Sequence, residues 1–192
     1  MKTVEEIIEI LKNRISDKRL YHSKCVMNSC IKLARIYGID EKKASLVGIA
    51  HDNAREMSKE EWFDYCNKHD IEISENEKLN PVLLHAKVGA NIAKDEFGFS
   101  EDMVDAIKYH TVGHVPMNSL SEILFISDSI SEDRNYDGIE KFRKLAEKNK
   151  DKAMLEIMES TINLMISRNK DIDKNTIELK KYYLNKINQK NK

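Results

Sequence analysis

The chain of 192 residues contains few of the residues on which tight turns depend, with six Gly and two Pro. A β-rich protein needs many such turns, so an all-α fold class is predicted. An excess of charge of one sign is also missing, because charged residues make up 34% of the chain while the net charge is -1. We therefore expect no nucleic acid and no membrane as partners.

Cysteine is scarce as well, with Cys25, Cys30 and Cys66 forming an odd set that has no C-x-x-C pair. We therefore expect no disulfide framework, and we expect the protein to occupy a reducing compartment. The N-terminal sequence MKTVEEIIEILKN is acidic and periodic, unlike a signal peptide. No apolar run approaches the roughly 20 residues of a membrane span. We expect a soluble cytoplasmic protein.

What the sequence does contain is a succession of amphipathic segments with recognisable helix ends. Gly38 is a typical C-terminal residue, and Asp40 is placed to cap the next helix. Ser58 with an acid three residues later is a capping box. Asn80 is expected to cap the next helix, with Pro81 in its first turn, which is a favoured helix start. The sequence therefore predicts a bundle of helices.

Residues 111–118 hold a glycine and one of the two prolines, which predicts a loop. We expect a single domain over residues 1–192, with a motif-bearing core at about 15–135 and C-terminal helices at about 138–188. The segment from Lys180 onward has five lysines and no acid. It is interpreted as a solvated, frayed last helix and not as a nucleic-acid arm.

Polar side chains share the apolar face of five separate helical segments: His22, His51, His85, His110 and Asp128. Burying a polar group without a partner is unfavourable. One such residue is usually explained by a hydrogen bond in the core. Five of them favour a divalent cation, since neutral imidazole and carboxylate are ordinary metal ligands and helical bundles build metal sites from facing helices.

Asp52, directly after His51, adds a second carboxylate to this set. Four histidines and two aspartates exceed the four ligands of one tetrahedral structural zinc. They suit two neighbouring cations that share a carboxylate and keep open positions for water.

His22, the pair His51-Asp52 and Asp128 follow the order H…HD…D of the HD-domain metal-dependent phosphohydrolases, which this chain resembles. Between Arg19 and Arg134 the sequence is similar to successive motifs of the bacterial YqeK family, the symmetrical bis(5′-nucleosyl)-tetraphosphatases. These motifs are RLYHSKCVMNSCIKLARIYGID, KKASLVGIAHDNAR, LLHAKVGA, AIKYHTVG and ISDSISEDR. Members of that family cleave diadenosine tetraphosphate into two ADP.

The resemblance implies an HD-domain helical bundle with a dinuclear metal centre in its core. One metal would be bound by His22, His51 and Asp128, the other by His85 and His110, with Asp52 bridging the two. Two divalent transition-metal ions are expected as cofactors, with iron as the expected metal and manganese or cobalt as alternatives. The expected partner is a small-molecule dinucleoside polyphosphate, and a homodimer is left open.

The implied reaction is hydrolysis of a phosphoanhydride by metal-activated water, without a Ser or Cys nucleophile. Asp52 and Arg55 are the expected catalytic residues. The expected substrate-binding residues are Arg19, Arg55 and Arg134, whose guanidinium groups match phosphate geometry, and His114 in the loop at 111–118. Each arginine has a surface salt bridge as the alternative interpretation.

Two departures from the family pattern bear on the substrate. Arg55 stands where Lys is usual, which keeps the charge but changes its shape. His114 stands where Arg is common, which removes a permanent charge from the loop at 111–118. Two alternatives therefore stay open: an HD-domain nucleotidase or phosphodiesterase acting on another nucleotide, and a metal-binding helical bundle without catalysis.

Overall fold

The computed structural model describes residues 1–190 and is built from eleven α-helices and one short 3-10 helix, with no β-strand within that range. The all-α prediction is thereby confirmed. The helices are α1 (Val4–Leu11), α2 (Asp17–Tyr37), α3 (Glu41–Ala50), α4 (Lys59–Lys68), α5 (Glu75–Leu79), α6 (Leu84–Phe97), α7 (Glu101–Lys108), α8 (Ser119–Ile130), α9 (Ile139–Lys148), α10 (Lys150–Ser167) and α11 (Lys174–Lys190). The 3-10 helix spans Pro81–Leu83, just before α6.

Several predicted helix ends are confirmed by their hydrogen bonds. Gly38 ends α2 in the left-handed conformation with φ 65°, which glycine adopts without strain. The side chain of Asp40 accepts a hydrogen bond from the backbone N–H of Lys43 at 3.0 Å. Ser58 and Glu61 form both bonds of a capping box at the start of α4. The loop at 111–118 is also confirmed, since it lies between α7 and α8.

The prediction that Asn80 caps the helix after it is wrong. Asn80 makes no side-chain capping bond, and its amide instead donates backward to the side chain of Asn76 at 2.9 Å. The reason is a short helix, α5, that the sequence pattern did not reveal and that uses Asn80 as its C-terminal residue. Pro81 consequently opens the 3-10 turn, and α6 begins only at Leu84.

Helix α2 is central to the bundle and packs against α3, α8 and α9. Its buried side chains include Val26, Cys30 and Leu33. The crossing of α2 and α3 is very close, because a Cβ built on Gly48 would lie 2.6 Å from the Cα of Met27. Only glycine permits this approach. It brings together the parts of α2 and α3 that carry His22 and His51.

The interpretation of the segment from Lys180 onward as a solvated, frayed helix is wrong for residues 180–190, which form the ordered second half of α11; residues 191 and 192 lie outside the described range. Helix α11 packs against α10, and its Leu179 and Tyr183 are completely buried. Lys186 and Lys190 form ion pairs with Asp151 at 2.8 and 2.7 Å. Apolar burial and charge pairing together hold this helix on the bundle.

None of the helices within residues 1–190 is both long enough and apolar enough to cross a membrane.

Candidate metal centre

Six side chains from five parts of the chain meet in the interior of the bundle, and we refer to them as the His/Asp cluster. All are buried except Asp128, which is half-buried. His22 is on α2, His51 ends α3 with Asp52 next to it, His85 opens α6, His110 follows α7, and Asp128 is on α8. The structure thus brings together all six residues that the sequence indicates as metal ligands.

His22, His51 and Asp128 form one group whose ligand-type atoms all lie within 4.8 Å of one another. The Nε2 atom of His22 is 3.0 Å from Oδ1 of Asp128, and Nε2 of His51 is 3.9 Å from the same oxygen. Two imidazole nitrogens and one carboxylate oxygen directed at a common point form a donor set suited to a divalent transition metal.

Asp52 connects this group to the remaining two histidines through its two different oxygens. Its Oδ1 is 3.2 Å from Nε2 of His85 and 3.7 Å from Nε2 of His110. Its Oδ2 is 3.5 Å from Nε2 of His51 and 3.9 Å from Nε2 of His22. One oxygen therefore faces each pair of imidazoles, which is the arrangement that a bridging carboxylate requires.

Backbone carbonyls fix which ring nitrogens face the cluster. Nδ1 of His51 donates to the carbonyl of Gly48 at 2.9 Å, and Nδ1 of His110 donates to that of Ile107 at 2.7 Å. Nδ1 of His85 likewise donates to the carbonyl of Val82. A carbonyl only accepts, so these Nδ1 atoms carry protons and, in the neutral form of each ring, the Nε2 lone pair faces the cluster. This is the tautomer that binds metal.

Two features of these nitrogens fit a cation in particular. The Nε2 atom of His51 is buried and has no hydrogen-bond partner among the described residues. The Nε2 atoms of His85 and His110 lie 3.2 Å apart. Lone pairs that face each other or face no donor are unfavourable in a protein interior. Divalent cations bind such nitrogens, so the residues fit the metal ions that the family resemblance implies.

The electrostatics of the site favour positive charge. Burial disfavours protonation of His51, but the carboxylates of Asp52 and Asp128 outweigh burial and raise the pKa of His51 to about 9. For Asp52, burial is likewise outweighed by the surrounding histidines, and its pKa is lowered. Burial and the neighbouring His110 lower the pKa of His85, which keeps that ring neutral. The negative charge of the two carboxylates thus attracts a cation to this point.

Two of the predicted phosphate-binding arginines contact the cluster directly. Nη1 of Arg19 donates to Oδ2 of Asp52 at 2.9 Å, and Nη2 of Arg134 donates to Oδ1 of Asp128 at 2.7 Å. Both guanidinium groups lie on its outer side, since the Arg19 and Arg134 side chains are 28% and 41% exposed. Each guanidinium has five donors, so both arginines keep N–H groups for a further acceptor.

The other two predicted substrate-binding residues are not linked to the cluster by any hydrogen bond within residues 1–190. Arg55 is half-buried in the turn that follows Asp52. His114 stacks on the ring of Tyr109 with centroids 4.5 Å apart, and its Nδ1 donates to the carbonyl of Pro116 at 3.2 Å. His114 therefore lies in the loop as predicted, held by local contacts.

Sequence reasoning missed three residues that hold the cluster in place. Asp133 accepts a hydrogen bond from Nδ1 of His22 at 2.8 Å. The amide of Asn53 donates to the carbonyls of Ala50 and Gly89 at 2.7 and 2.9 Å, which ties the His51-Asp52 turn to α6. Asp133 and Asn53 lie within the quoted motifs ISDSISEDR and KKASLVGIAHDNAR, but no feature of the sequence distinguished them from the other polar residues there.

The third missed residue is Arg143 on α9, which binds four backbone carbonyls at the end of α8 and in the turn that carries Asp133 and Arg134, that of Glu132 at 3.4 Å among them. Its Nε donates to Ile130 at 2.9 Å, and its Nη2 donates to Ser131 at 2.7 Å and to Arg134 at 3.0 Å. No local pattern in the sequence reveals a contact across nine to thirteen residues.

Known proteins match this chain over nearly its whole length. A profile of the family described as HD domain matches residues 19–133, which include the entire His/Asp cluster. The symmetrical bis(5′-nucleosyl)-tetraphosphatase of Bacillus subtilis (strain 168) is 34% identical over 176 residues, covering 88% of this chain and 90% of that protein. The protein of the same name from Staphylococcus aureus (strain NCTC 8325 / PS 47) is 30% identical, with 94% of each chain covered.

A solved structure also matches the fold of this chain. The crystal structure of a predicted HD superfamily hydrolase involved in NAD metabolism from Clostridium acetobutylicum matches with a TM-score of 0.93 at 33% identity. The match covers 97% of this chain and 99% of that chain.

Proposed function

The chain belongs to the HD domain family, and we propose that it is a symmetrical bis(5′-nucleosyl)-tetraphosphatase whose His/Asp cluster binds two divalent metal ions. Its substrate is diadenosine tetraphosphate and its product is ADP. The names and the coverage of its relatives support this assignment, and the chemistry of the cluster agrees with it. Iron is the proposed metal.

The observation that carries the metal proposal is the position of Asp52. Its two oxygens face two different pairs of imidazole nitrogens, at 3.2 and 3.7 Å on one side and 3.5 and 3.9 Å on the other. In this proposal His22, His51 and Asp128 would hold one metal ion, His85 and His110 would hold the second, and Asp52 would be shared by the two sites.

When bound, two neighbouring divalent cations polarise a phosphate oxygen and lower the pKa of a coordinated water. The chain's own residues contribute orientation and charge. Asp133 fixes the ring of His22, and backbone carbonyls fix the rings of His51, His85 and His110. Arg19 and Arg134 place positive charge beside Asp52 and Asp128 on the outer side of the cluster, where the polyphosphate chain of the substrate arrives.

A cysteine nucleophile is not part of this proposal. Burial raises the pKa of the Cys30 thiol to about 12, and burial also raises the pKa values of Cys25 and Cys66. The thiolate is the reactive form, so these groups are protonated and unreactive near neutral pH. Hydrolysis by activated water requires no covalent intermediate with the chain.

The products test the proposed function. Metal-loaded protein is incubated with diadenosine tetraphosphate, and the early products are separated by chromatography. ADP alone is expected, because the attacked bond is the central one. Equal amounts of AMP and ATP would contradict symmetrical cleavage. Faster hydrolysis of mononucleotides or cyclic dinucleotides would instead favour a nucleotidase or a phosphodiesterase.

The role of Asp52 is tested in the same assay. Asp52→Asn should lower the rate by a factor on the order of a hundred or more, since a charge that organises the reacting groups is lost. Arg55→Ala should have a smaller effect, because Arg19 and Arg134 still supply positive charge. Asp64→Asn, which removes an exposed carboxylate on α4, is the matched control. Equal losses in Asp52→Asn and Asp64→Asn would contradict the role of Asp52.

A further inference from the structure

A cavity of about 470 Å³ lies directly beside the His/Asp cluster, and we call it the lateral cavity. Asp128 and Arg134 form its wall on the cluster side. The rest of the wall comes from the segment after α8, from α9 and from α10. Its volume falls within the range of roughly 300–1,000 Å³ that small-molecule sites occupy.

Other parts of the wall are apolar. Tyr136, Phe142 and Leu164 supply apolar surface, with the two aromatic rings 6.2 Å apart. Leu164 and Tyr136 are among the large apolar side chains that stay exposed, at 48% and 39%. The Tyr136 hydroxyl donates to the carbonyl of Ser129 at 2.9 Å, which fixes the orientation of its ring.

Helix α10 supplies one continuous side of the lateral cavity. Ile157, Ser160, Thr161 and Leu164 line it at helical spacing, so this wall extends about 10 Å along the helix axis. The hydroxyl groups of Ser160 and Thr161 therefore lie on the same face, and that of Thr161 donates to the carbonyl of Ile157 at 3.0 Å and keeps its lone pairs as acceptors. The lining also includes Asp137 and a second guanidinium, that of Arg168. Aromatic and aliphatic groups, hydroxyls and guanidinium groups are the kinds of group that contact the base, ribose and phosphates of a nucleotide.

We propose that the lateral cavity binds the nucleoside of one ADP half of the substrate, with the base against Tyr136, Phe142 and Leu164. The phosphates of that half then reach Arg134 and the cluster. This inference rests on the proposed function and adds to it the residues that recognise the nucleoside. A nucleoside is the proposed occupant because Asp128 lines the lateral cavity, so a group bound there lies next to the proposed metal ligands.

Calorimetric titration of the metal-loaded protein tests this inference with two probes, ADP and inorganic pyrophosphate. Pyrophosphate shares the phosphate groups of ADP but has no base, so only ADP reports on the lateral cavity. Tyr136→Ala should weaken ADP binding by about fivefold or more, the effect typical of losing an aromatic ring that stacks on a base. Tyr136→Phe, which keeps the ring, should bind ADP nearly as the wild type does.

Leu164→Ser tests the wall that α10 supplies, and Leu184→Ser is its matched control. Leu184 is 43% exposed on α11 and does not line the lateral cavity. Leu164→Ser should weaken ADP binding several-fold and leave pyrophosphate binding unchanged, whereas Leu184→Ser should change neither.

Three results would overturn the inference: unchanged ADP binding in both Tyr136→Ala and Leu164→Ser, equal weakening of ADP and pyrophosphate, or wild-type protein that binds ADP no more tightly than pyrophosphate. Failure of the proposed function is a separate result. A wild-type protein that does not hydrolyse diadenosine tetraphosphate would contradict that function, while selective loss of ADP binding would still support the nucleoside site.

Discussion

Asp133 provides a prediction that the sequence motifs do not make. Its Oδ2 accepts the Nδ1–H of His22 at 2.8 Å, and its Oδ1 accepts the hydroxyl of Ser131 at 2.7 Å. Burial opposes ionisation of Asp133, but the hydrogen bonds from Ser131 and His22 outweigh it and lower the pKa of the carboxyl. Asp133 is thus ionised at neutral pH and orients His22 for metal binding.

The expected effect follows from the strength of that hydrogen bond. A bond to a charged group contributes roughly 1.5–3 kcal/mol, and a neutral one about 0.5–1.5 kcal/mol. Asp133→Asn keeps the shape and removes the charge, so about 1–1.5 kcal/mol is lost, equivalent to metal binding about 5- to 12-fold weaker. Asp133→Ala removes the acceptor altogether and should weaken metal binding by about 10- to 100-fold.

The assay is competition with a metal chelator, with the metal that stays on the protein measured at each chelator concentration. Glu132→Gln is the matched control, because it removes an adjacent carboxylate that makes no side-chain hydrogen bond within residues 1–190. The order of metal retention should be wild type and Glu132→Gln, then Asp133→Asn, then Asp133→Ala. Wild-type retention in Asp133→Ala would refute the reasoning.

Two further predictions concern stability. Glu122→Gln should lower the free energy of unfolding, measured by urea titration, by about 2–4 kcal/mol, because it breaks the buried ion pair with Lys150. Lys32→Ala, which breaks an exposed ion pair, should lower it by less than about 1 kcal/mol. Equal effects would contradict a larger contribution of the buried pair to stability. Gly48→Ala should destabilise the fold by about 1–3 kcal/mol, since the new methyl group meets the backbone of Met27, and an unchanged urea midpoint would contradict the close crossing of α2 and α3.

Five residues of the His/Asp cluster were predictable because each places a polar side chain on the apolar face of a helix, and Asp52 was predictable because it directly follows His51. When a helix has His22 or His85 on its apolar face, the sequence alone indicates that this side chain needs a polar partner or a metal ion in the core. The all-α class was predictable for a related reason, since the shortage of Gly and Pro is a property of the whole chain.

What the sequence did not reveal are contacts between residues that show no periodicity of their own. Asp133 is one of two acids in SISEDR, and only the fold brings it to His22. The C-terminal helix was misjudged because its lysines indicate solvent exposure, while their partners Glu122 and Asp151 lie in other helices. Tyr183, whose hydroxyl donates to Glu122, completes this contact from the buried face of α11.

The metal content of the purified protein tests the central claim most directly. Elemental analysis of protein prepared without chelator should find close to two transition-metal ions per chain. Asp52→Ala should hold fewer than one, because the lost carboxylate faces both groups of imidazoles. A wild-type protein that is folded, free of metal and active in the presence of a chelator would contradict the account.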